Sequence, residues 1–398
     1  MTTQHVTTRI AARVLAVAGC SALVAIAAWM VTTGKRPTSG QAWDGDYADV
    51  RGLVSWLAAA LSEPQYYVVG SASAGLLLGG LVAHLAQRRA LRWAGFVQAC
   101  GSGIWPWVVG SALASLVAGV LIWGWTLKAG QWQPLFAPLV ATAPAMVVLY
   151  GPALRTCLTA AVSGAVLTPP ASILAVEYVC RPWHLPPVVG ATTGMWVGAS
   201  AAFWLCRFLP WMPAPGAWRE APVVPVVTAV PAAPRSGPAA TSVLWPLRRA
   251  LADFSEAQFF GSEWASAGML LGAALAYLTS PSALVYGSGL FPAVLTAQAV
   301  TALGGVLLWR RQWRARGFYP TFVPVVSVAP ASVLAFGGTP VSVVAGAIAG
   351  ALIAPPLAAT ISRRLPADIH PFVGNVASMS ISTAIVVPLL HYLPGISS

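Results

Sequence analysis

Gln133-Pro134-Leu135-Phe136-Ala137-Pro138, followed by Ala143-Pro144-Ala145, returns 186 residues later as Tyr319-Pro320-Thr321-Phe322-Val323-Pro324, followed by Ala329-Pro330-Ala331. At the same offset Gly101-Ser102-Gly103 matches Gly287-Ser288-Gly289, Gly151 matches Gly337, Gly164 matches Gly350, and Pro169-Pro170 matches Pro355-Pro356. Agreement over this distance reads as an internal duplication, and a repeat sets the architecture before any other feature does. The match extends outward. Ser62-Glu63-Pro64-Gln65-Tyr66-Tyr67 corresponds to Ser255-Glu256-Ala257-Gln258-Phe259-Phe260, His184 to His370, Gly190 to Gly374 and Met195 to Met379. The two copies therefore cover about 62–210 and 255–394.

Composition gives the class. Hydrophobic residues make up 57% of the chain and charged residues 8%, against about 25% charged in a soluble domain. No water-facing surface can be built from that inventory, so the chain reads as an all-α integral membrane protein. Its net charge of +12 is gathered in short loops between apolar runs, which reports orientation in the bilayer and not nucleic-acid binding.

The apolar segments lie near 66–87, 103–127, 134–151, 155–179 and 186–209, and again near 260–279, 287–309, 319–338, 340–362 and 369–393. Residues 9–32 read as a further, retained membrane helix, although Val17-Ala18-Gly19-Cys20 looks like a lipoprotein cleavage site. The expected organisation is an N-terminal transmembrane helix (1–33), a polar extracytoplasmic loop (34–61), a first five-helix repeat (62–210), a Pro/Ala-rich cytoplasmic linker (211–250) and a second five-helix repeat (251–398), with about 11 transmembrane helices. Five crossings per repeat invert the second copy relative to the first. The arginines agree: Arg88, Arg89 and Arg92 follow the first segment of one copy, whereas Arg310, Arg311, Arg314 and Arg316 follow the second segment of the other. With the N-terminus cytoplasmic and the C-terminus extracytoplasmic, only Lys35, Arg36, Arg51, Lys128 and Arg181 lie outside, against 17 basic residues inside. The third segment is the shortest in each copy, and the parity depends on its crossing.

Broken helices at matched positions of two inverted halves point to a substrate site. The prolines of segment four (Pro169-Pro170, Pro355-Pro356) and of segment three (Pro144, Pro330) predict such breaks, flanked by Ser163, Gly164 and Gly350. In the last segment Asn375, Ser378 and Ser382 share one helical face and suit either a solute or another helix. The same prolines and small residues also read as packing elements. Glu177 is the one acid expected near a span, at its outer end, and His184 and His370 each open a fifth segment. No metal-ligand spacing, phosphate-binding loop or nucleophile triad occurs, so no cofactor, metal site or enzyme activity is expected. The cysteines read as small apolar helix residues.

The stretch Phe318–Pro324, with Ser327-Val328-Ala329-Pro330 and His370-Pro371-Phe372 leading to Asn375 and Met379, resembles an uncharacterised bacterial family of tandem-repeat polytopic membrane proteins. That resemblance implies architecture and a location in the bacterial cytoplasmic (inner) membrane, and no chemistry. Two inverted five-helix halves also look distantly like urea channels at the level of fold. The leading expectation is a transporter or channel for a small neutral or weakly charged solute, or an anion held by half-helix N-termini, with the lipid bilayer as its other partner and a homo-oligomer possible. The rival is a non-transporting scaffold or assembly protein. A transporter predicts a polar cavity between the halves, and a scaffold predicts a packed midplane.

Overall fold

The computed structural model describes residues 50–128, 131–220 and 244–396, and all the regular structure among them is helical. The expected N-terminal helix at 9–32, Cys20, most of the polar loop and the centre of the linker lie outside the described residues.

Among the described residues six α-helices of nine residues or more form the first half: α1 (Val50–Ala59), α2 (Gly70–Arg88), α3 (Trp105–Trp123), α4 (Thr142–Tyr150), α5 (Leu154–Ala175) and α6 (Pro187–Cys206). Six follow in the second: α7 (Trp245–Asp253), α8 (Glu263–Thr279), α9 (Phe291–Leu308), α10 (Val328–Phe336), α11 (Pro340–Ser362) and α12 (Phe372–Leu390). Helix α1 occupies the end of the stretch read as a polar loop. Helix α7 begins inside the stretch read as linker.

Among the described residues six helices are long and apolar enough to cross a membrane, or seven if the 71° bend between α1 with its following turn and α2 lies within one span. Their outward faces carry stripes at helical spacing, such as Leu154, Leu158 and Val162 on α5 and Val344, Ile348 and Leu352 on α11, all exposed. Apolar stripes of this extent around a molecule match hydrocarbon and not water. The chain is a multi-pass membrane protein.

Helix directions follow from side-chain registers. On α2 and α8, Gly75 lies against Gly268, Gly79 against Trp264 and Gly272 against Ser71, so the pair runs antiparallel. A Cβ at Gly75 would strike the Gly268 carbonyl, and one at Gly268 would strike that of Gly75. Only glycine permits this approach. Between α3 and α5, Ser111 Oγ donates to the Cys157 carbonyl (3.2 Å) and Ser115 Oγ to the Ala161 carbonyl (2.9 Å), both at a separation of 46 residues. A constant separation means that α3 and α5 are parallel, so the chain between them returns to the side from which α3 started.

That return is where the helix breaks. A 3₁₀ turn (Ala137–Val140) leads into α4 through Ala141 at φ −117°, ψ −107°, and a second one (Val323–Val326) leads into α10 through Ser327 at φ −135°, ψ −87°. The segments Ala137–Tyr150 and Val323–Phe336 fall short of the length of a span, and almost all their residues are buried. Protein around them supplies what lipid cannot.

The expected breaks in segment four are corrected. Helix α5 continues through Pro169-Pro170, and α11 through Pro355-Pro356. Each first proline removes the N–H that would serve the carbonyl four residues earlier. An indole replaces it: Trp123 Nε1 donates to the Ala165 carbonyl (3.0 Å) and Trp309 Nε1 to the Ala351 carbonyl (2.8 Å).

Candidate functional site

A cavity of about 910 Å³ lies between the halves and is lined by residues of both. Its walls pair matched positions: Glu63 with Glu256, Tyr66 with Phe259, Cys100 with Tyr286, Trp132 with Phe318, Phe136 with Phe322, His184 with His370 and Met195 with Met379. Polar contacts at the join swap in the same manner. Gln65 Nε2 donates to Gln258 Oε1 (3.0 Å) and to the Phe254 carbonyl (2.6 Å), while Gln258 Nε2 donates to Gln65 Oε1 and to the Leu61 carbonyl (2.8 Å). Such exchange of partners is what a twofold relation produces.

The backbone at the wall is strained in matched places. Tyr66 (φ 69°) and Phe259 (φ 65°) are left-handed, and so are Cys100 (φ 56°) and Tyr286 (φ 55°). A non-glycine residue in this region costs on the order of 1–3 kcal/mol and persists where surrounding structure holds it, commonly at functional sites. Here the strain turns side chains into the cavity. The Tyr66 and Phe259 N–H groups bond the Glu63 and Glu256 carbonyls (2.7 and 2.9 Å), fixing the turn.

The two carboxylates have unlike partners. Glu63 accepts from Trp132 Nε1 (2.9 Å) and the Tyr286 hydroxyl (3.3 Å) at Oε1, and from Trp56 Nε1 (2.9 Å) at Oε2. No basic side chain pairs with it among the described residues. Glu256 accepts from Arg249 (2.5 Å), which also bonds Asp253 (2.8 Å) and lies between the rings of Phe96 and Trp313. Burial pushes the Asp253 carboxyl up to about 6, against the pull of Arg249.

The ends of the cavity also differ. It runs along α12 from His370 to Tyr392, but along α6 only from its start to Met195. Exposed Trp183 and Tyr392 mark the open end. Toward the other end, Arg207 at the close of α6 pairs with Asp368 ahead of α12 (2.5 Å) and holds its carboxyl below the usual carboxylate range. Desolvation, with Arg219 adding to it, lowers the His370 imidazole to about 3, so it stays neutral at neutral pH.

Of the sequence-predicted site residues, Asn375 alone lines the cavity. Ser378 Oγ donates to the Ala354 carbonyl (2.8 Å), joining α12 to α11, and Ser382 bonds back to Ser378 within α12. Gly164 gives room to Ser115 and Ala143, and Gly350 to Pro324 and Val328. Pro144 and Pro330 are buried in α4 and α10, Pro169 and Pro355 face protein, and Ser163, Pro170 and Pro356 are partly covered. Glu177 pairs with Arg181 one turn on (3.0 Å), away from the cavity. The expectation that no other acid sits near a span is corrected by Glu63, Glu256, Asp253 and Glu263, all buried. Their signal was present, since Glu63 and Glu256 are a matched acid in a chain with 10 acids in all. Its place in a polar stretch concealed it. Among the described residues no three His, Cys, Asp or Glu side chains converge as a metal site requires.

Compared with known proteins, the chain matches no family model, no curated sequence and no solved structure.

Proposed function

We propose that this protein is a transporter for a small solute, working from the central cavity between two five-segment halves threaded through the membrane in opposite directions. The observation that carries the reading is that cavity: about 910 Å³, walled by matched residues of both halves and by matched left-handed backbone. This volume falls within the usual range for small-molecule sites. A scaffold would have no use for it.

The inverted arrangement is supported by α2 and α8, which start their halves and run antiparallel. The parallel course of α3 and α5 supports a third segment that crosses, with its short buried helix and extended lead making up the thickness together. With the N-terminal segment this gives eleven crossings and agrees with the arginine distribution. The N-terminus then lies in the cytoplasm of a bacterial cell and the open end of the cavity faces outward. Arg207 and Asp368 hold the inner end shut, and the halves rock to exchange the two ends.

Two experiments test this. Single cysteines introduced near 90 and 313 should both label from the cytoplasmic face, and labelling from opposite faces refutes the inverted threading. Liposomes holding the protein and a mixed pool of small metabolites should lose at least one solute faster than liposomes holding Met195→Trp, which fills the cavity. Equal retention of every solute would sink the transport reading.

A further inference from the structure

The walls of the cavity define the charge of its occupant. Of the carboxylates that line it, Glu256 is already matched with Arg249, and Glu63 is not matched with any cation among the described residues. Among the described residues no lysine or arginine is in the wall. The Arg249 cluster itself holds two carboxylates for one guanidinium, Asp253 and Glu256, so Arg249 is committed to them.

Glu63 is held and not masked. A carboxylate offers about four acceptor positions, and the three donors Trp56, Trp132 and Tyr286 occupy three of them. All three are neutral. They fix the carboxyl group in place without pairing it with a cation. Beside it the rings of Trp132, Tyr286, Tyr66 and Phe136 stand as neighbours, with centroids 6.4 Å apart for Trp132 and Tyr286, 6.2 Å for Tyr66 and Tyr286, and 6.4 Å for Trp132 and Phe136. Ring faces attract an organic cation. One polar atom is left waiting. The Tyr66 hydroxyl is buried in the wall and finds no hydrogen-bond partner among the described residues. Buried hydroxyls are ordinarily bonded, and its oxygen can accept from an ammonium group.

We propose that the cavity binds a monovalent organic cation, an ammonium group on an apolar body, with the charge at Glu63 and the body against the aromatic wall. This rests on the transport reading only for its consequence, since it names what that cavity takes. It narrows the neutral, weakly charged or anionic solute expected from the sparse charge of the chain to one class.

The test uses three probes with one body and different charge: 2-phenylethylamine, 2-phenylethanol and phenylacetate. Binding to the full-length protein in detergent is followed by titration calorimetry. The amine should bind at least about tenfold more tightly than the alcohol, a preference of the size a desolvated cation–π and carboxylate site provides, and phenylacetate should bind more weakly than both. Glu63→Gln should bring the amine down to the affinity of the alcohol, while Glu256→Gln leaves the preference intact. Equal affinity for amine and alcohol, tighter binding of phenylacetate, no binding of any probe, or a preference that survives Glu63→Gln would each overturn the proposal. The wild-type comparison decides even where a variant fails to fold. Amine binding with no flux into liposomes would refute the transport reading alone, and flux of a neutral solute with no amine preference would refute this proposal alone.

Discussion

Glu63 and Glu256 stand at the same position of the two halves, in the same kind of turn, on the wall of the same cavity. Their neighbours seven residues earlier differ. Arg249 reaches Glu256 with a guanidinium, and Trp56 reaches Glu63 with an indole. One carboxylate is neutralised by its own half of the molecule. The other is held by neutral donors alone and has no cation partner among the described residues. Two matched stretches of sequence thus differ by one partner, a guanidinium at Glu256 and an indole at Glu63, and the proposal of a receptive carboxylate rests on that difference.

This contrast can be broken most severely from the paired side. Arg249→Met leaves Asp253 and Glu256 buried without their cation, and removing one partner of such a cluster costs about 3–5 kcal/mol. We expect a large loss of thermal stability in detergent, or no monodisperse protein. Glu63→Gln strands no ion but sets an amide N–H₂ against one of the indole donors, so it should cost less, about 1–3 kcal/mol. The join between the halves comes next. Gly75→Val drives a side chain into the Gly268 backbone and should cost about 1–3 kcal/mol, read as a lower melting temperature and altered cross-linking between α2 and α8.

A sharper test converts one copy into the other. Trp56→Arg brings to Glu63 the residue type that neutralises Glu256, so it should abolish the roughly tenfold preference for amine over alcohol without blocking the alcohol. If the preference persists, the two carboxylates do not differ for the reason given. The smallest effect is expected where the halves are alike. Trp123→Phe and Trp309→Phe each withdraw the indole from a carbonyl freed by proline. Each should cost about 1 kcal/mol, as single polar contacts within membrane proteins do, and the two losses should be nearly equal.

Much of this was legible in the sequence. Composition alone makes a membrane protein, because 57% hydrophobic and 8% charged residues leave no other solvent for its surface. The matched prolines, glycines and histidines announced the two copies, and the arginine loops suggested their opposite threading. The site was less legible. Pro169-Pro170 and Pro355-Pro356 read as breaks because a proline lacks a donor, and the sequence does not say that an indole 42 residues away supplies one. Ser378 and Ser382 read as polar lining because their spacing puts them on one face, yet their hydroxyls are used by helix carbonyls.

The sequence by itself therefore determined the solvent of this protein, since that follows from the type of residues along short stretches, and it carries the matched stretches that read as two copies. The tertiary structure alone decided which carboxylate is paired and which residues wall the cavity. Those depend on contacts between residues as far apart as Glu63 and Tyr286, or Gln65 and Gln258. No local rule reports a contact across that distance. It exists only once the α2 and α8 glycines have brought the halves together.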